Sequence, residues 1–310
     1  MRDENKLKNA DELARRKMPI ADSSLILHPS SLRRQPTIEW QTNGVCNYDC
    51  SYCIQSKKYR AGQPSQADVE RFLEFFAGLN GVWEIKLTGG EPFAWRGFMD
   101  WVVPGLARLP HRVSVLTNLS APLPVLRRFV DLLGEQLQVV SVSLHREFVG
   151  EAEFIAKAAT LKSWLRPDVR LVVNNVLVPG TLAALTEVRA AVEAAGLKYF
   201  PQVLKTKHGV VDYSTEEKPL VKLLTGHSPT PREANLAPSY RGRLCWTGVE
   251  YFVLLQNGDA WSCRTARRFH EGYLGNVLDG TIKLQTAPRP CAYDICPCTV
   301  PANRGMIEGV

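Results

Sequence analysis

No stretch of the 310-residue chain approaches the roughly 18 uninterrupted apolar residues of a membrane span. The opening Met-Arg-Asp-Glu-Asn-Lys lacks the apolar core of a secretory signal. No internal repeat of solenoid length is visible. An excess of acid is missing too: 38 Lys and Arg against 31 Asp and Glu leave a net charge of +7. Spread over the whole length, that charge hints at acidic partners but does not define a nucleic-acid surface. Apolar residues at 45% and charged residues at 22% supply a sizeable core and argue against global disorder. The chain therefore reads as cytoplasmic. There thiols stay reduced, and its eight cysteines serve metals or catalysis rather than disulfides.

At about 150 residues per domain, the length allows one large domain and a small one. Residues 1–36 form a polar arm with ten charged residues among the first twenty, and Leu7, Ala10, Leu13, Ala14 and Met18 mark a short helical stripe. From residue 37 apolar runs of strand length recur at 37–42, 82–88, 112–117, 138–144, 169–178 and 198–204. Amphipathic stretches lie between them, the first with Val69, Phe72, Leu73 and Phe76 at helical spacing and the others near 97–108, 122–134, 149–166 and 181–195. Ser65 with Asp68 offers a cap, Pro122 and Pro124 suit an entry turn, and Gly196 suits a stop. Six strand–helix repeats over 37–205 predict an α/β fold with parallel strands and right-handed crossovers. Periodicity does not choose between a doubly wound sheet and a whole or partial barrel, but both work at the C-terminal ends of the strands. Residues 206–244 lose the rhythm and read as a linker, and 245–310 holds five of the eight cysteines.

Cys46, Cys50 and Cys53 form C-x3-C-x2-C directly after the first predicted strand. Three thiolates within eight residues can wrap one metal centre. A structural zinc takes four protein ligands, whereas an iron–sulfur cube held by three cysteines keeps one iron for a non-protein ligand. Spacing alone leaves both open. The second predicted strand ends in Thr88-Gly89-Gly90-Glu91-Pro92, where glycines permit close backbone approach and a carboxylate can accept from an ammonium group.

These residues, with Tyr52 before the last cysteine, resemble the radical S-adenosylmethionine (radical SAM) enzymes. The resemblance covers 37–205 in element order as well as motif. It implies a partial (β/α)6 TIM-type barrel and a [4Fe–4S] cluster on Cys46, Cys50 and Cys53 whose unique iron chelates SAM. It also implies that Glu91 and the Gly89-Gly90 backbone, before Pro92, hold the SAM ammonium, and that the backbone of Tyr52 approaches the adenine. Among the polar residues Thr117, Asn118, Ser143 and Asn175 at later strand ends, Ser143 and Asn175 are candidate SAM contacts. His145 and Arg146 are candidates to reach a substrate.

At the C-terminus, Cys245 and Cys263 flank 249–262, which reads as a hairpin turning at Asn257-Gly258. Gly275-Asn276 and then Cys291, Cys296 and Cys298 follow. A zinc knuckle is one reading of these residues alone. The pattern is similar to the SPASM and twitch extensions of radical SAM proteins, which implies a small C-terminal domain holding an auxiliary [4Fe–4S] cluster. Five cysteines suit one such cluster with one thiol over, and which of Cys291, Cys296 and Cys298 is spare stays open.

The family chemistry is reductive cleavage of SAM to a 5′-deoxyadenosyl radical, which takes hydrogen from an unactivated C–H bond. The auxiliary cluster then suits an electron acceptor in a net oxidation, and a flavodoxin or ferredoxin suits the reductant. A 36-residue arm is too short for a leader-recognition domain, which favours a small polar substrate such as a sugar, cyclitol or nucleoside. The other substrate reading is a ribosomal peptide that is crosslinked or epimerised. Lys205, Lys207 and Lys222 either meet an acidic substrate or solvate the linker. Two rivals stand outside this chemistry: a zinc-bearing nucleic-acid-binding module, and an iron–sulfur scaffold or electron carrier without SAM chemistry.

Overall fold

A computed structural model describes residues 34–55, 60–206, 209–226, 240–294, 296, 298 and 300–309. The helical stripe at Leu7–Met18 lies outside them, as do Lys207 and all of 227–239. Six parallel strands run in sequence order: β1 (Thr37–Gln41), β2 (Glu84–Thr88), β3 (Arg112–Thr117), β4 (Leu137–Leu144), β5 (Arg170–Leu177) and β6 (Lys198–Val203). Each predicted run is a strand to within two residues at either end. A doubly wound sheet reverses its strand order at a switch point, and this one does not. With right-handed crossovers, unreversed order puts every helix on one face and the sheet curls into a partial barrel.

Register shows the two faces of that sheet. Ile38, Ile85 and Val113 lie side by side, as do Val115, Val140 and Leu171, and all are buried in one apolar core. Residues one place along turn inward: Glu39 beside Lys86 beside Ser114, and Ser143 beside Asn174 beside Phe200. The barrel is thus greasy outside, beneath its helices, and mixed but richer in polar side chains within.

The helices follow from local chemistry. Helix α1 (Gln66–Ala77) begins in a capping box, with Asp68 N–H donating to Ser65 Oγ and the Asp68 carboxylate accepting from the Ser65 N–H. Its buried Phe72 and Phe76 rings pack on Trp40 of β1 at centroid distances of 5.0 and 5.2 Å. The stretch near 97–108 is a π turn, Phe98–Val102, running into the short α2 (Val103–Leu106). Helices α3 (Leu123–Leu133), α4 (Glu151–Trp164) and α5 (Leu185–Ala194) complete the crossovers. Gly196 follows α5 at φ +70°, a conformation open to glycine without strain.

The described residues of 206–244 include regular elements. A short ribbon pairs β7 (Lys205–Thr206) with β8 (Gly209–Val210), and α6 (Glu217–Thr225) buries Val221 and Leu224 against the main core. Its apolar residues are too few to stand out among prolines in sequence. Beyond it come β9 (Leu244–Cys245), β10 (Tyr251–Leu254), β11 (Asp259–Trp261), α7 (Arg264–Arg268), β12 (Tyr273–Asn276), β13 (Arg289–Pro290) and α8 (Val300–Asn303). The hairpin turns at Gly258, φ +90°, as its sequence requires. Its first strand, β10, pairs parallel to β1, so β10–β12 extend the barrel sheet to nine strands.

Candidate active site

The loop after β1 carries Cys46, Cys50 and Cys53, and three strand ends grip it. At the end of β2, Gly90 N–H donates to Asn43 O at 3.0 Å and Glu91 N–H to Val45 O at 2.8 Å. A Cβ on Gly90 would lie 2.0 Å from Val45 O, and one on Gly89 would lie 2.4 Å from Asn43 Oδ1. These glycines are demanded first by the chain's own backbone, which lies flat on the turn. At the end of β3, Asn118 Nδ2 donates to Asn47 Oδ1 at 2.9 Å. Past β4, Glu147 accepts from Ser51 N–H at 2.9 Å and from its hydroxyl. Gln55 Nε2 closes the loop on Gly89 O at 2.9 Å.

His145 stands in the middle of this grip. Its Nδ1 lies 2.9 Å from the Tyr52 hydroxyl and 3.4 Å from Cys50 Sγ. Burial lowers its pKa, which favours the neutral ring able to accept from the Tyr52 O–H. Tyr48 stacks on Phe148 with ring centroids 4.5 Å apart. Cys50 is buried, Cys46 half-buried and Cys53 exposed, and none is in a disulfide. Burial pushes the Cys50 thiol up to about 11, with Cys46 and Cys53 adding to the rise, so the three sulfurs feel one another. Among the described residues no three Cys, His, Asp or Glu side chains converge as around a single metal ion. A cube takes one thiolate per iron corner and makes no such demand.

Glu91 is 1% exposed, and its carboxylate is wrapped by its own chain. It accepts from Thr117 Oγ1 at 2.7 Å, Asn118 N–H at 2.6 Å and Phe93 N–H at 3.2 Å, the last as cap of the 3-10 turn Pro92–Ala94. Burial pushes its pKa up to about 7 against the pull of those three donors. The side chain joins the turn to the end of β3. Sequence reasoning placed an ammonium there and missed these internal donors, which only the folded neighbours supply.

Ser143 faces the barrel interior, and the residue beside it on β5 is Asn174. Asn175 is on the helix-packed face. Its Nδ2 donates to Leu144 O at 3.1 Å and its Oδ1 accepts from Tyr199 OH at 3.1 Å. It also borders an open cleft of about 740 Å³ at the ends of β4 and β5, with Tyr52, Arg146, Glu147 and Thr181. Sequence reasoning missed Asn174, whose Oδ1 accepts from Gln202 Nε2 at 3.0 Å. Nothing short of strand register separates it from its neighbour.

The five remaining cysteines fall in two apolar clusters, Cys263 in one and the other four in or against the second. Cys245 ends β9, Cys263 caps α7 with its Sγ accepting from Ala266 N–H at 3.2 Å, and Cys291 follows β13. Cys245 and Cys296 are buried with Tyr240 and Ile307, while Cys291 and Cys298 pack against them. Burial raises Cys263 to about 12, and Cys245 and Cys298 add to that rise. Lys205 does not solvate a linker: it is half-buried and within electrostatic reach of Cys296 and Cys298.

Residues 40–166 match the family described as the Radical SAM superfamily. The chain carries a radical SAM domain. That domain runs from β1 to just past α4 and includes the cysteine loop and the Gly89–Pro92 turn. Over 91 residues the chain is 33% identical to the GTP 3',8-cyclase of Stenotrophomonas maltophilia (strain K279a), a match covering 28% of this chain. It covers 27% of that protein, so the chain spans about a quarter of the length of this curated relative. Two solved structures share the fold. Streptococcus suis SuiB, bound to precursor peptide SuiA, has a TM-score of 0.56 at 13% identity over 81% of this chain and 65% of that one. AnSMEcpe, with AdoMet and the Cp18Cys peptide, has a TM-score of 0.52 at 18% identity over 79% of each chain. Among the described residues no helix is long and apolar enough to cross a membrane.

Proposed function

We propose that this protein is a radical SAM enzyme that removes hydrogen from a C–H bond of a small polar substrate at the barrel mouth, with net oxidation. The observation that carries the reading is the cysteine loop, seated on the Gly89–Glu91 turn within the radical SAM domain. The donor set fits the cluster. Cys46, Cys50 and Cys53 are in no disulfide, Cys46 and Cys53 push the Cys50 thiol up, and binding a metal centre relieves that repulsion once they ionise. When bound, the cluster and SAM supply an electron and a 5′-deoxyadenosyl radical able to attack an unactivated C–H bond.

The chain's own residues do the positioning. His145 and Glu147 hold the cysteine loop from β4, and Glu91 holds the turn on which that loop rests. Tyr52 and Asn175 border the cleft where the adenosyl group would lie, and Ser143 faces the barrel interior. The five C-terminal cysteines form a second donor set for an auxiliary [4Fe–4S] cluster of the SPASM or twitch type. It would take the electron that the substrate radical gives up. A polar interior of Lys86, Ser114, Ser143, Asn174 and Gln202 suits a sugar, cyclitol or nucleoside better than an apolar side chain. A peptide is the second reading, since SuiB and anSMEcpe were both determined with peptides bound, though that likeness is one of fold.

Anaerobically purified protein should be brown and carry about eight irons per chain, two four-iron cubes. Under strong reductant it should convert SAM to 5′-deoxyadenosine, and Cys50→Ala should abolish this. Colourless protein containing zinc, or a cluster that leaves SAM intact, would overturn the reading. Deuterium carried into 5′-deoxyadenosine from labelled candidates identifies the substrate.

A further inference from the structure

The inner wall of β5 and β6 holds a buried amide with one polar atom left over. Asn174 is 7% exposed and faces the barrel interior, between Ser143 on β4 and Phe200 on β6. Gln202, two places after Phe200, shares that face and donates from Nε2 to Asn174 Oδ1 at 3.0 Å. Asn174 Nδ2 is buried and has no hydrogen-bond partner among the described residues. Folded proteins leave few buried polar atoms unpaired, because each forfeits its bonds to water. Reversing both amides would only exchange the atom left over for Asn174 Oδ1.

The surroundings define what fits there. Phe200 is 38% exposed although it is on the inner face, so a bare aromatic surface stands beside the unpaired amide. Strand β6 is the last in the nine-stranded order, which puts both groups at the edge of the sheet rather than in its closed middle. A ring with apolar C–H faces and hydroxyls around its rim meets both demands, one face on Phe200 and one hydroxyl on the amide. A hydroxyl both donates and accepts, so it answers whichever atom of Asn174 is left over. The next residue, Asn175, bonds both of its amide atoms within the chain, to Leu144 and Tyr199.

We infer that Asn174, flanked by Phe200 and Gln202, binds a hydroxylated ring of the substrate, its amide held unpaired until a substrate hydroxyl meets it. This rests on the small-polar-substrate reading above. The test titrates the reconstituted enzyme, with SAM present, with myo-inositol, D-glucose and uridine in equilibrium dialysis. At least one should bind the wild type, and Asn174→Leu, close to asparagine in size, should weaken it roughly tenfold. Asn174→Ala, which adds no bulk, should weaken it as much. SAM affinity and the cleavage of SAM without substrate should be the same in all three proteins. Without a probe, Asn174→Leu should unfold at a temperature no lower than the wild type, since it removes an unpaired polar atom from a buried place. If no probe binds, or all three proteins bind alike, the site is overturned while SAM cleavage, and with it the enzyme reading, stands. A loss of SAM affinity in the variants gives the amide to the ribose hydroxyls of SAM and overturns the site as well. So does a lower unfolding temperature for Asn174→Leu, which makes the amide a structural group. A wild type that leaves SAM whole under strong reductant overturns the enzyme reading and the site together.

Discussion

Glu91 shows how one residue can carry a motif and a structural duty together. Its carboxylate is fully enclosed, has three donors and touches no cation among the described residues. Its pKa of about 7 in the folded state stands above the ordinary 4.5, so the fold binds a proton there more tightly than the unfolded chain does. The stability this group contributes is full below the ordinary value and is lost as pH rises through about 7. In metal-free protein the stability of the wild type relative to Glu91→Gln should fall by roughly 3 kcal/mol between pH 4.5 and 8. Urea titrations of both proteins across that range measure it. A bound ammonium group nearby would favour the anion and flatten the difference. Asn174 and Asn175 teach a second lesson at this scale. Adjacent residues of a strand face opposite sides, so a one-place choice decides whether an amide looks into the barrel or under its helices.

Among the elements, the turn after β2 does more than offer backbone to a ligand. Its glycines let the segment Asn43–Val45 lie directly on it, and two backbone hydrogen bonds then place the cysteine loop. A methyl group on Gly90 must displace the Val45 carbonyl. Gly90→Ala should therefore cost about 3 kcal/mol and lower the iron bound at the first cluster, read by thermal unfolding and by iron assay. The Gly-Gly pair was plain in the sequence, and so was its nearness to the cysteines in the strand–helix order. That the two glycines serve the chain's own packing was not, because a close approach between segments 45 residues apart leaves no local pattern. Helix α6 was missed for a related reason. It is short, holds Pro219 in its first turn and earns its stability from the core it covers.

At the scale of the whole molecule, the C-terminal segment closes the barrel from below. Arg304, just past α8, donates from Nε and Nη2 to the two oxygens of Glu84 at 2.6 and 2.7 Å, where β2 begins. Glu84 is fully buried, and Ser114 Oγ donates to it at 2.6 Å. Gln35 N–H reaches Arg304 O, and Ile307 bridges to Cys245, so one short stretch links barrel floor, first strand and cysteine enclosure. Arg304→Gln leaves the Glu84 carboxylate buried without its cation and should destabilise the protein by about 3–5 kcal/mol, measured by urea unfolding. The loss should be smaller in Arg304→Gln combined with Glu84→Gln, which removes the stranded charge as well.

The sequence by itself determined the parallel strand–helix order and the two cysteine groups, because periodicity, caps and ligand spacing are written within a few residues of one another. Only the tertiary structure decided that the sheet curls without reversal, that the hairpin joins it beside β1, and that Glu39 and Glu84 meet arginines more than 200 positions away. Those outcomes depend on register and on contacts between distant segments, whose partners no local pattern names.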